Sequence, residues 1–182
     1  MSVTVGLRNL HYAILTEDSD NETTYGTMAR ISGMIQADID VEAADNTLYA
    51  DNAAYEAAVT TGKASVSLNI AELPLEQLAS LLGHTATNGE MLSKSTDEAP
   101  YVGLAFEYTK NNGKKRFVKL FKGKFKEPKE STKTKGESVE FQTPTIEGTF
   151  VARLSDSAWK KTADEEATGY TDSIGSSWYT AM

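Results

Sequence analysis

The chain has 182 residues, no cysteine and a net charge of −8, enough for one domain with a sizeable core and no disulfide to brace it. Lack of cysteine excludes thiol catalysis and thiolate metal sites. The N-terminus lacks the basic start and apolar run of a secretory leader, and no stretch nears the ~20 apolar residues that span a bilayer, so a soluble cytoplasmic product is expected. Charge is sorted along the chain: from Met1 to Gly62 ten carboxylates stand against two cations, and from Lys110 to Lys135 eleven cations stand against two carboxylates. Opposite fields on different surfaces would steer copies of the chain toward one another and fix their register.

In chain order, His11–Thr16 reads as the first strand. Ile35, Ala37, Ile39 and Val41 alternate with Gln36, Asp38, Asp40 and Glu42, the period of a half-buried strand. Ala64, Val66, Leu68 and Ile70 repeat the pattern against Ser65, Ser67 and Asn69. Between these two lies Ala43–Gly62, too long for an ordinary hairpin loop and carrying Leu48, Tyr49 and Tyr55, so it is expected to order against something. Leu73, Leu75, Leu78, Leu81 and Leu82 form a helical stripe, with Pro74 in the first turn and Gly83 at its end. Tyr101–Tyr108 alternates again. Asn112-Gly113 then predicts a hairpin with positive φ at both positions, leading into Lys115–Phe125, which is apolar on both faces and so central in a sheet. Lys126–Ser138 is irregular and basic, and Val139–Ile146 and Thr149–Leu154 complete about seven strands. From Asp156 the chain carries Trp159, Tyr170, Trp178 and Tyr179 on a polar background, either an arm that docks elsewhere or one folded back on its own domain. The fold class expected is mainly β, a β-sandwich or barrel with one flanking α-helix, in one domain of residues 1–182 with a C-terminal arm over about 156–182.

Catalytic chemistry finds no foothold. His11 and His84 have no ligand spacing to one another, no G-x-S-x-G elbow or glycine-rich phosphate loop occurs, and no cofactor motif is present. Asp38, Asp40 and Glu42 share a strand face at steps of about 7 Å without an EF-hand pattern around them, which reads as an acidic wall rather than a metal site. Lys122 and Lys124 alternate with the phenylalanines of Lys115–Phe125, on the face of Val118 and Leu120. A single-strand nucleic-acid platform needs cations and aromatics on one exposed surface, so the strand reads as core with projecting lysines. No enzyme is expected.

Five blocks of residues carry a more specific signal. They are Val5-Gly6-Leu7-Arg8-Asn9-Leu10-His11-Tyr12-Ala13, Thr47-Leu48-Tyr49-Ala50-Asp51, Leu68-Asn69-Ile70-Ala71-Glu72-Leu73-Pro74 with Leu81-Leu82-Gly83-His84, Phe121-Lys122-Gly123-Lys124-Phe125, and Glu140-Phe141-Gln142-Thr143-Pro144-Thr145-Ile146-Glu147-Gly148-Thr149-Phe150. In this order, over roughly residues 3–165, the chain resembles the major tail proteins of long-tailed, non-contractile bacteriophages of Gram-positive bacteria. The resemblance implies a tail-tube-like β-sandwich with a long loop and terminal arms. It also implies hexameric rings stacked into a tube around a tape-measure protein, other tail components at the tube ends, and passage of DNA through the lumen. The location implied is the virion tail, with the host cytoplasm during assembly.

On this basis Asp38, Asp40, Glu42, Ser65, Ser67 and Asn69 are the expected lumen-facing residues, where carboxylates would repel passing phosphate. Leu48, Tyr49, Asp51 and Tyr55 are the expected inter-ring loop, since aromatics anchor interfaces. Lys122, Lys124 and Lys126 are the expected basic assembly surface, meeting the acidic half of the next subunit in head-to-tail stacking. The competing function is a carbohydrate- or cell-surface-binding β-sandwich of a virion, which would need an exposed cleft lined by Trp159 and Trp178.

Overall fold

A computed structural model of the protein describes residues 2–50, 53–129, 134 and 142–182, with side chains for all of these outside 43–50 and 53–61. Its elements are β1 (Thr4–Asp18), β2 (Thr23–Tyr25), β3 (Ala29–Ile31), β4 (Met34–Ala50), β5 (Ala53–Ile70), α1 (Leu75–Leu82), β6 (Thr85–Thr87), β7 (Glu90–Leu92), β8 (Val102–Lys110), β9 (Lys115–Phe125), β10 (Thr145–Val151), β11 (Lys160–Asp164) and α2 (Asp172–Ser177). Nine strands form one antiparallel sheet in the order β2-β1-β8-β9-β10-β5-β4, with β3 against β1 and β11 against β9; β6 and β7 pair separately. The arrangement is sandwich-like and mainly β, with two short helices where the sequence suggested one, and it does not close into a barrel.

The period-two patterns become the core. Val66 and Leu68 of β5, Leu104 and Phe106 of β8, Val118, Leu120 and Phe125 of β9, and Ile146 and Phe150 of β10 meet Leu10 of β1 in one buried cluster. Helix α1 closes that cluster with Leu81 and Leu82, while Leu75 stays 39% exposed, so the stripe faces inward through its second half. Pro74 stands just before the helix and Gly83 ends it with a φ of 76°. A Cβ on Gly83 would lie 2.1 Å from the Glu98 carbonyl oxygen, so the loop behind the helix can approach only because that atom is missing. Replacing Gly83 with alanine is therefore expected to cost at least about 1–3 kcal/mol from the left-handed backbone alone, read as a fall in thermal and urea midpoints.

Three sequence expectations are corrected. Ala43–Gly62 is not a loop: β4 and β5 run on as two arms of one hairpin, paired from Ala43 and Thr61 to Ala50 and Ala53. Val139–Ile146 and Thr149–Leu154 are not two strands: β10 spans Thr145–Val151 with Gly148 inside it, and residues 139–141 lie outside the described residues. At the Asn112-Gly113 turn only Gly113 takes positive φ, at 80°, and its N–H donates to the Lys110 carbonyl at 3.0 Å.

A fourth correction matters for function. Val102 pairs with Gly123 but Leu104 pairs with Leu120, so the register slips at Phe121-Lys122. This β-bulge inserts one residue and reverses which face later side chains take. Val118 and Leu120 point into the core before it, and Gly123 and Phe125 after it. A Cβ on Gly123 would meet the Phe150 ring at 2.5 Å, which confirms its direction. Lys122 and Lys124 therefore turn away from the core, onto the face that also carries Phe117.

That outer face is partly covered by the chain's own C-terminal segment. β11 pairs with β9 from Lys160–Leu120 to Asp164–Arg116, and Trp178, 3% exposed, packs on Phe117 with ring centroids 5.5 Å apart. Tyr170 stacks on the same Phe117 ring at 6.4 Å, and Tyr179 lies 4.5 Å from His11. Of the two expectations for this run, the one folded back on its own sheet is the one seen.

Candidate assembly surface

The free part of the outer face lies on β4, β5, β10 and the end of β9. Their registers align Gln36 with Asn69 and Thr145, Asp38 with Ser67 and Glu147, and Asp40 with Ser65, Thr149 and Lys124. These rows exist because one residue in two on each strand must face the core, leaving the polar partners to share the opposite face. Asp38, Asp40, Ser65, Ser67, Lys126, Glu147 and Thr149 line one shallow cleft of about 200 Å³. Around it Gln36 donates to Asp38 at 2.8 Å, and Asn69 donates to Thr145 at 2.9 Å. Glu42 sits beyond a register shift and meets Lys63 at 3.5 Å, both half exposed, a pair worth little in water.

Five of the six expected lumen residues thus occupy one polar face, and the expected basic residues Lys124 and Lys126 share it. The picture of opposite charges on different surfaces is corrected: the carboxylates of β4 and the lysines at the end of β9 lie within three strand spacings, about 15 Å. Much of the basic segment is also neutralised inside the chain. Lys122 Nζ lies 2.5 Å from Asp18 Oδ2, with 14% and 7% of the two side chains exposed. Burial of Asp18 opposes its ionisation, but the hydrogen bonds from Lys122 and the Leu154 N–H prevail and lower its pKa. Lys122 is therefore a clamp between β9 and β1 and leaves the assembly set.

Farther along the basic segment, Lys110 donates to Asp164 at 2.6 Å and also to Glu166, and Arg116 Nε donates to Asp164 at 2.8 Å. Although burial works against it, Lys110, the Glu166 N–H and Arg116 hold the Asp164 carboxyl down at about 2. Lys115 meets the buried Glu107 at 3.1 Å. Lys119 is buried under Trp178, donates to the Ala181 carbonyl at 2.6 Å, and burial pushes it down to about 8.

Two residues of this face were not among the site residues expected from the sequence. Tyr101 holds Lys122 and Lys124 over its ring at 4.8 and 4.6 Å, a contact no spacing rule predicts across twenty residues. Glu147 was detectable, because Glu147 and Thr149 alternate with Ile146, Gly148 and Phe150. Of the inter-ring candidates, Asp51 lies outside the described residues, as do the side chains of Leu48, Tyr49 and Tyr55. The bulge does bring lysines and phenylalanines to one face, yet Phe117 and Phe121 are 3% and 4% exposed, so no base could stack on them. Trp178 is likewise buried, so it cannot line an exposed sugar cleft. Among the described residues no group of three or more His, Asp or Glu side chains is placed to hold a metal ion.

A nine-stranded sheet with apolar clusters on both sides and one polar face in cross-strand register defines a mainly β, sandwich-like protein. The chain matches the family model described as phage tail tube protein over residues 6–173, and it belongs to that family. It is a structural protein of the virion tail. A search of curated proteins gave no significant match.

Proposed function

We propose that the protein, as a single tail tube domain, polymerises as hexameric rings stacked head to tail into the tail tube, around a tape-measure protein and later around DNA in transit. The family match over residues 6–173 carries this reading. The shape of the subunit supports it: β4 ends the sheet order, so one edge is open to pairing among the described residues, and Ile35 and Val41 on it are 52% and 37% exposed. An open edge with apolar side chains invites a strand from a neighbour, and repeated head-to-tail contacts close into rings when the rotation allows.

In this reading the face of Asp38, Asp40, Ser65, Ser67 and Asn69 lines the lumen, with Glu42 at its rim. Carboxylates of β4 and β10 keep the adjoining Lys124 and Lys126 from holding phosphate, so DNA passes without specific binding. The β4–β5 hairpin, with Leu48, Tyr49, Asp51 and Tyr55, reaches the next ring, and other tail components meet the tube ends. Negative-stain microscopy of the concentrated protein tests the proposal: rings or tubes of uniform width are expected. A protein that stays monomeric at all concentrations would contradict it.

A further inference from the structure

His84 places one imidazole between two carboxylates from distant parts of the chain. It follows Gly83 at the end of α1, where its N–H donates to the Ala79 carbonyl at 3.0 Å. Its Nδ1 lies 2.8 Å from Asp97 Oδ2 and its Nε2 lies 3.0 Å from Glu127 Oε2, with the ring side chain 9% exposed. Asp97 belongs to a turn after β7 and also accepts the Lys94 N–H at 2.9 Å. Glu127 follows β9, next to Lys126, whose N–H donates to the Glu147 carbonyl at 2.8 Å. Among the described residues, Glu76 of α1 lines the same groove as His84, and Lys94 acts on Asp97.

An imidazolium has two N–H groups and can donate to both carboxylates; a neutral imidazole has one and can donate to only one. The two acceptors are unequal. Asp97 is 15% exposed and already tied to its own turn, whereas Glu127 is 59% exposed and can turn to water. We infer that His84 is a proton-operated latch: protonated, it ties the segment 126–129 to the end of α1, and on losing its proton it keeps Asp97 and releases Glu127.

The released segment borders two surface features. With Leu73, Leu78 and Pro144 it lines a groove of about 720 Å³, and its Lys126 belongs to the polar sheet face. The hydrogen bonds that the ring donates to Glu127 and then to Asp97 outweigh burial and raise the His84 pKa above its usual 6.5. A raised value means the latch is fully closed below about pH 6.5 and opens as the pH climbs through the folded-state pKa. The inference stands independently of tube formation.

Hydrogen–deuterium exchange of the full chain, corrected for intrinsic rates, and NMR titration of the His84 ring between about pH 5.5 and 8.5 test it together. Amide protection at Lys126, whose N–H donates to the Glu147 carbonyl, should fall about tenfold in the window where His84 titrates. Glu127→Gln should lower the His84 pKa and leave exchange at Lys126 independent of pH, and His84→Gln should show the open level throughout. Protection that stays constant while His84 titrates overturns the latch, as does an unchanged pH dependence in Glu127→Gln with a folded circular dichroism spectrum.

Discussion

Replacing Trp178 with alanine is expected to lower the free energy of unfolding by about 3–5 kcal/mol, the range for deleting a large buried aromatic. Trp178 anchors the second apolar cluster, where Ala105 and Phe117 of the sheet meet Tyr170, Ile174 and Tyr179 of the C-terminal segment. Its loss also strips the cover from Lys119, whose ammonium lies 4.7 Å from the Trp178 ring centroid. The indole Nε1 has no hydrogen-bond partner among the described residues, so packing rather than a lost hydrogen bond sets the cost. Trp178→Phe should therefore recover a large part of the stability. Urea unfolding measures both, and proteolysis of the alanine variant should begin after Asp164, where the segment leaves β11. Equal stability of wild type and alanine variant would mean that the C-terminal segment does not belong to the folded unit.

The second large effect concerns assembly. Joint replacement of Lys124 and Lys126 with glutamate should leave the circular dichroism spectrum unchanged but slow polymerisation at least about tenfold at low salt, since charge complementarity acts mainly on association rate. Both lysines lie on the outer face, clear of the core, Lys124 in the row of Asp40 and Lys126 in the adjoining cleft. Their reversal leaves carboxylates as the only charges of that row and cleft, on the face that the proposed ring gathers round its lumen, and the subunits repel one another as they meet. Lys122→Glu is a different experiment. It would set a carboxylate against Asp18, with both groups mostly buried, and so should unfold the subunit before any question of assembly arises. If the Lys124/Lys126 double variant polymerises at the wild-type rate, these charges play no part in subunit contact.

How far the sequence could be read follows from what each residue's placement depends on. Ala64–Ile70 was legible because alternation is local, and burial follows it directly; Val102–Tyr108 was legible as a strand, but its second face, with Ala105 and Glu107, is buried as well. Helix α1 was legible for the same reason, together with Pro74 and Gly83 at its ends. The bulge at Phe121-Lys122 was not, because it is set by the pairing of β9 with β8 and leaves no local mark; one slipped residue moved Lys122 and Lys124 to the opposite face. The hairpin arms beyond Glu42 were missed because their run of Ala, Thr, Asp and Asn carries no apolar–polar alternation.

Charge sorting misled for a related reason. Sequence separates Asp18 from Lys122, and Lys110 from Asp164, but the sheet order leaves only β8 between β1 and β9 and only β9 between β8 and β11, so opposite charges far apart in sequence become partners. Counting charge by segment cannot see that cancellation. It did identify the two columns, on β4 and at the end of β9, that remain on the polar face of the sheet.

The most direct measurement is a cryo-electron-microscopy reconstruction of assembled tubes, resolved well enough to trace β4 and β5. The account predicts β4 joined edge to edge with a neighbouring subunit and the row Asp38–Ser67–Glu147 on the inner wall. A tube with that row on its outer surface, or with β4 facing solvent, would contradict it.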